Sequence, residues 1–309
     1  MRRDATAVRQ LALDTIDSTN AEALRRARAG ESGPLWITAE MQSAGRGRRG
    51  REWMSALGNL HATLLLIDPS PAVCAPQLSF VAALALHDAV AQCTPQVGPV
   101  LALKWPNDLL LGEAKLAGIL IEGENDAAFA VVIGIGVNCT HHPENSAFPA
   151  TDLAAAGALV TPQTLFSALA VTMERRLAQW ASGEGFAAIR ADWLKRAAGL
   201  DQTIQVRLPQ RELTGIFEGL DEEGRLLVRQ ADAIMPVTAG EVFGFSSLIR
   251  PLKGEGRPIE DGAGWGHAPL VAEEWTATRP LPSLPREPGR ATEGGDLPVA
   301  GGRKGSGQQ

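Results

Sequence analysis

The stretch that limits this chain most is Gly45-Arg46-Gly47-Arg48-Arg49-Gly50-Arg51, three glycines and four arginines in succession, with Trp53 just beyond. Glycine costs a helix interior about 1 kcal/mol relative to alanine, and neighbouring guanidinium groups repel one another on any shared face. The stretch is therefore expected as a loop, loose when empty, between a strand at Leu35–Ala39 and another at Asn59–Ile67. Guanidinium forks match carboxylate and phosphate oxygens two at a time, and glycine lets backbone amides approach an anion closely. Taken alone, this composition suits a nucleic-acid patch as well as a small anionic ligand.

Charge tilts the balance. The 309 residues carry a formal net charge of −6, whereas proteins that live on bulk nucleic acid are usually basic. A local anion is the better partner for the arginines, and no DNA is expected. Cys74, Cys93 and Cys139 lack metal-ligand spacing and fit reduced thiols in a cytoplasmic setting. The N-terminus has no apolar signal core, and no apolar run is expected to reach the ~18 residues of a membrane span.

Patterning along the chain places the other polar clusters. After a strand near Leu11–Leu13, Thr19 with Glu22 reads as a capping box and Gly30 as the helix stop. The Ser18-Thr19-Asn20 cluster is then either a plain cap or a cap that also holds a polar ligand. Helical spacing follows Pro76 as far as Cys93. Leu101–Leu111 delivers Lys104 and Trp105 at a strand end, with Pro106 stopping the ladder and Asn107-Asp108 turning. A second strand opens with Lys115, Gly123–Asp126 reads as a hairpin turn, and an apolar strand ends in Gly134-Ile135-Gly136-Val137-Asn138. That Gly-x-Gly lacks the third glycine and following helix of a dinucleotide fold. Amphipathic helices follow at 162–180 and 186–197. Short alternating strands between 203 and 248 suggest a small antiparallel barrel, and the Gly- and Pro-rich residues 251–309 read as a disordered tail. None of the five histidines shows nucleophile or metal spacing.

Five features stand in one order: Ser18-Thr19-Asn20; Gln42 with GRGRRGREW; KWPNDLLL from Lys104; KLAGIL from Lys115; and GIGVN from Gly134. This order closely resembles the biotin–protein ligases, also called biotin–[acetyl-CoA-carboxylase] ligases, over about residues 10–250. The resemblance implies an α+β fold: a central mixed β-sheet flanked by helices, related to class II aminoacyl-tRNA synthetases (1–199), then a small SH3-like barrel (200–250). It is to the monofunctional kind, because the motifs begin at Ser18 and leave no room for an N-terminal DNA-binding domain.

The implied activity uses ATP and Mg²⁺ to make biotinyl-5′-AMP, then passes biotin to a lysine of a carboxyl carrier domain. Matching motif positions implies Lys115, Arg46 and Asp108 as catalytic residues. Ser18, Thr19, Asn20 and Gln42 would hold the ureido ring, with Arg46, Gly47, Arg48, Lys115 and Gly118 completing the biotin site. Arg48, Arg49, Arg51, Trp53, Lys104, Asn107 and Asn138 would face the nucleotide. Asp108 is left open between binding Mg²⁺ and orienting the incoming lysine. Two alternatives also stay open: a lipoate–protein ligase of the same architecture, and a biotin-binding regulator without catalysis. An unpaired sheet edge would serve a homodimer or the carrier domain.

Overall fold

In the computed structural model, residues 9–245 are described, apart from 127, 145, 147 and 209. The expected tail at 251–309 lies outside them. Seven apolar runs form one sheet: β1 (Gln10–Ile16), β2 (Leu35–Gln42), β3 (Leu60–Ile67), β4 (Leu101–Lys104), β5 (Asp108–Leu111), β6 (Ala114–Asn125) and β7 (Phe129–Val137). Their spatial order is β1-β2-β3-β7-β6-β5-β4. β1 and β2 run parallel and every other neighbouring pair antiparallel, so the sheet is mixed, as expected.

Consecutive strand residues face opposite sides, and here each side has its own core. Trp36, Leu64 and Ile133 point into the larger cluster, beneath helices α2 (Leu78–Cys93), α3 (Pro162–Trp180) and α4 (Phe186–Leu194). Their sequence neighbours Ile37, Leu65 and Val132 point the other way, against Ala23 of helix α1 (Thr19–Arg28). One short helix covers only part of that second face. The remainder, towards β6 and β5, is left for the polar site.

Five further strands, β8 (Thr203–Arg207), β9 (Glu212–Leu220), β10 (Leu226–Gln230), β11 (Ala233–Val237) and β12 (Glu241–Phe245), make an antiparallel sheet in the order β11-β10-β9-β8-β12. Its inward residues Ile204, Val206, Phe217, Leu226 and Val228 belong to the same large cluster as α2 and α3.

Five local expectations change. Ser18, not Thr19, caps α1: its hydroxyl accepts from the Ala21 amide, while Glu22 pairs with Arg25 and Arg26 instead of closing a box. Asp108 begins β5 instead of sitting in the turn, and β6 continues through Gly123 to Asn125 because Phe129 still pairs with Asn125. α4 ends at Leu194, three residues early, where the chain turns so that Arg196 and Ala198 bond backbone to backbone with Leu103 of β4. The helical run Ala72–Cys93 is long and apolar enough to cross a membrane, contrary to the expectation that no run would be. Ten of its side chains from Leu78 onward are buried in the core, which accounts for the composition.

Candidate active site

A cavity of about 550 Å³ opens on the α1 side of β3, β7 and β6. Its floor exists because three glycines lie side by side on adjacent strands. Gly136 pairs with Gly118 across β7 and β6, and Gly134 lies one step along the same face. A Cβ on Gly136 would overlap the Trp53 indole, one on Gly134 would overlap the Asn20 amide, and one on Gly118 would stand 3.0 Å from Trp53 Cζ3. Every residue expected in the site lines this cavity except Arg49. Arg49 adopts a left-handed φ of 57° within the short turn Arg48–Gly50 and is exposed, so it does not join the others.

One end of the cavity is neutral and hydrogen-bonded. Shifting the cap to Ser18 releases Thr19 and Asn20, which are buried. Gln42 Oε1 accepts from both the amide (2.9 Å) and the hydroxyl (3.0 Å) of Thr19. Thr63 Oγ1 lies 2.8 Å from Thr19 Oγ1 and 2.7 Å from Asn20 Oδ1. The Asn20 amide nitrogen donates to Glu122 Oε2 (2.8 Å), which fixes its oxygen towards Thr63. The two threonine hydroxyls thus make three oxygen–oxygen contacts with only two protons between them. Whichever way they rotate, one of the three contacts holds no proton, and the free lone pairs of these oxygens leave the cap able to accept N–H groups.

The other end is cationic. Asp108 takes Lys104 Nζ at 3.0 Å and Lys115 Nζ at 2.6 Å, the latter off the direction of an ideal hydrogen bond. Burial alone would raise the Asp108 carboxyl, but the two ammonium groups outweigh it and hold the pKa below the usual carboxylate range. Lys104 is 2% exposed, and desolvation lowers its pKa in spite of Asp108. Phe148 covers it, the ammonium standing 3.7 Å from the ring centroid. Both Asp108 oxygens face ammonium groups, which occupy the positions where a further cation would sit.

The arginine loop crosses between the two ends, tied down at three points. Arg46 meets Glu122 at 3.0 Å. Arg48, half-buried with its pKa lowered by desolvation, donates to Asn107 Oδ1 (2.9 Å) and to the Gly240 carbonyl (3.3 Å). Arg51 meets Glu241 of β12 at 2.9 Å. Asn107 is itself fixed by donating to the Ile119 carbonyl (2.6 Å), and Asn138 by donating to the Thr151 carbonyl (3.0 Å).

Five participants escaped the sequence reading: His61, Thr63, Glu122, Phe148 and Glu241. His61 is 2% exposed. Its Nδ1 lies 3.3 Å from the Ala39 carbonyl, which can only accept, and desolvation lowers its pKa. The ring is therefore neutral with Nε2 bare, and Nε2 has no partner. For Thr63 and His61 a signal existed, since alternation along β3 puts both on the site face; the others depend on long-range contacts.

The chain matches the Biotin/lipoate A/B protein ligase family over residues 12–138 and the Biotin protein ligase C terminal domain over residues 199–243. It is 45% identical over 240 residues to a biotin–[acetyl-CoA-carboxylase] ligase of Paracoccus denitrificans, covering 75% of this chain and 98% of that protein. It is 34% identical over 237 residues to the bifunctional ligase/repressor BirA of Escherichia coli, covering 74% of this chain and 72% of that one. The biotin protein ligase from Aquifex aeolicus, solved in complex with biotin and ATP, superposes with a TM-score of 0.66 at 26% identity, over 76% of this chain and 97% of that one. With a cavity that is neutral and acceptor-rich at one end and cationic at the other, and with matches that span nearly the whole length of two of these relatives, the chain belongs to the biotin–protein ligase family.

Proposed function

We propose that this enzyme activates biotin with ATP and attaches it to a lysine of a carboxyl carrier domain, such as that of acetyl-CoA carboxylase. One observation carries the reading: a single cavity joins the acceptor-rich cap to Lys104, Lys115, Arg46 and Arg48. Biotin has the matching polarity. Its ureido ring is neutral and carries two N–H donors, and its other end is a carboxylate. Lipoate has no ureido donors to offer the cap, which is why biotin is favoured within this family.

The reaction brings two anions together. A carboxylate oxygen attacks the α-phosphorus of ATP, and pyrophosphate leaves. The neutral amine of the carrier lysine then attacks the carbonyl carbon, AMP leaves, and the nitrogen loses its proton. Neither step needs a protein nucleophile; both need position and fixed positive charge. Lys115, oriented by Asp108, is assigned to the oxygen shared by carboxylate and α-phosphate. Arg46 and Arg48 are assigned to the carboxylate and phosphate, Arg51 to the triphosphate, and Lys104, Asn107, Asn138 and Trp53 to the nucleotide. Ser18, Thr19, Asn20 and Gln42 are assigned to the ureido ring, Gly47 and Gly118 leaving room beside it. Mg²⁺ is assigned to the nucleotide's own phosphates and not to Asp108. Domain limits of 1–199 and 200–250 follow the change from the mixed sheet to the antiparallel one. β1 pairs with β2 alone among the described strands, so its outer edge is the place for the carrier domain or a second copy to add.

Lys115→Ala should lower biotin-dependent ATP–pyrophosphate exchange by at least about 10²-fold. Exchange near the wild-type rate would remove Lys115 from the chemistry. Incubating the wild-type protein with biotin, Mg·ATP and a carrier domain should add one biotin to one lysine, read by mass.

A further inference from the structure

The hydrogen bonds of the cap do not stop at the cap. Glu122 accepts from Asn20 Nδ2 (2.8 Å) and from Arg46 Nη2 (3.0 Å) through the same oxygen. On the far side, Gln42 Nε2 donates to Ser55 Oγ (2.9 Å), whose hydroxyl donates to the Trp53 carbonyl (3.1 Å). Thr63 and Thr19 join the two arms. The result is a polar circuit that begins at Arg46 and ends at Trp53, the two ends of the arginine loop. Everything between those ends passes through the cap.

Two features make Glu122 the critical link. Its carboxylate makes both its bond from Asn20 and its ion pair with Arg46 charge-assisted, and such bonds are about twice as strong as neutral ones. Asn20 also has nowhere else to turn. Its oxygen faces Thr63, its nitrogen also reaches the Leu120 carbonyl at 3.4 Å, and its amide fills the space that a Cβ on Gly134 would take. A shift of the Asn20 amide is therefore felt at Glu122, and hence at Arg46.

We infer that Glu122 is a positioning residue that makes the placement of the arginine loop depend on what occupies the cap. The inference rests on the reading of the cap as the ureido site. A ligand N–H donated to one of these oxygens fixes the rotation of both threonine hydroxyls, and bonds in such chains polarise one another. Occupancy of the cap then tightens Asn20 on Glu122 and Glu122 on Arg46. The two sites are coupled through the circuit without the ligand touching Glu122.

The test uses the full chain and two readouts, biotin affinity by calorimetry and the rate of tryptic cleavage between Arg46 and Arg51 with and without saturating biotin. In the wild type, biotin should slow cleavage by about tenfold, within the usual range of coupling between sites. Glu122→Gln keeps an acceptor for Asn20 and removes the charge opposite Arg46. It should bind biotin within about threefold of wild type while the slowing falls to about threefold or less. Glu122→Ala should lose affinity as well as slowing. Ser55→Ala cuts the other arm away from Glu122 and should also reduce the slowing, so the proposal does not hang on one variant. Slowing as large as wild type in both Glu122 variants at saturating biotin overturns it. So does wild-type protein that binds biotin with no slowing at all. Wild-type protein that does not bind biotin instead overturns the reading of the cap on which the inference rests.

Discussion

Asp108 holds two ammonium groups with one carboxylate, and one of them, Lys104, has almost no access to water. Removing that carboxylate strands a buried charge, which costs about 3–5 kcal/mol. Asp108→Asn should therefore lower the unfolding free energy from urea titration by that much near neutral pH with no ligand present, shifting the midpoint down, as well as abolish exchange. An unchanged midpoint would mean that Lys104 is compensated elsewhere. His61 makes a separate prediction in which the sign matters. Its folded pKa lies below the ordinary value near 6.5, so below that pH the unfolded chain takes up a proton that the folded chain refuses, and stability falls as pH falls. Between pH 7.5 and 5.5 the wild type should lose up to about 1.4 kcal/mol more than His61→Gln. Equal losses in denaturant titrations would show that His61 is protonated in the folded protein. At this scale the sequence was informative about residue type and much less about orientation. Lys104, Asp108 and Lys115 stand out as charges at strand ends, and the geometry brings them together. Arg49 has the same composition signal as Arg48, yet a left-handed backbone turns it away. The neutrality of His61 depends on a carbonyl 22 residues distant that alternation cannot identify.

Strands β6 and β7 carry the site by what they omit. Gly134 and Gly136 share one face, opposite Thr63 and His61 on β3, and each makes room for a different side chain. Gly134→Ala would push on the Asn20 amide, Gly136→Ala on the Trp53 ring. The two substitutions should separate the two halves of the cavity. The first should raise the KM for biotin by about tenfold with the KM for ATP little changed, because it disturbs an amide bonded to both Thr63 and Glu122. The second should fall mainly on ATP and shift the tryptophan emission. Identical profiles would show that neither glycine serves one substrate. As a motif, Gly-x-Gly between apolar residues is weak, and its period of two gains meaning only once β7 is paired. The helix cap is a similar case. Ser, Thr and Asn in succession announce a helix start, but which of them caps is decided by tertiary bonds. Thr19 and Asn20 are engaged by Gln42, Thr63 and Glu122, and Ser18 is the residue left to take the Ala21 amide.

At the scale of the whole molecule, the two sheets were readable as separate patterns, one with long apolar strands and helices, the other with short alternating strands. Their joint core was not, because it is built from contacts distant in sequence. Phe217 and Ile204 of the smaller sheet are buried in the same cluster as Phe80 and Trp193. Phe80 and Phe186 crowd the Cβ position of Gly224, and the Trp105 indole donates to the Gly224 carbonyl at 3.2 Å. The strand end that carries Lys104 is thus anchored on the second sheet, which also supplies Glu241 to Arg51 and the Gly240 carbonyl to Arg48. A core shared in this way should unfold as one unit. Five of the seven tryptophans, Trp36, Trp53, Trp105, Trp180 and Trp193, lie in the larger sheet, its helices and the loops between them, and β8–β12 contain none. Phe217→Ala removes a fully buried ring and should cost about 3–5 kcal/mol. Although the change lies in the smaller sheet, it should lower the midpoint followed by tryptophan fluorescence as much as that followed by far-ultraviolet circular dichroism, in a single transition. A fluorescence midpoint left at the wild-type value, with an earlier step seen only by dichroism, would show that the smaller sheet melts alone. The anchoring of Lys104 would then have to come from the larger sheet alone.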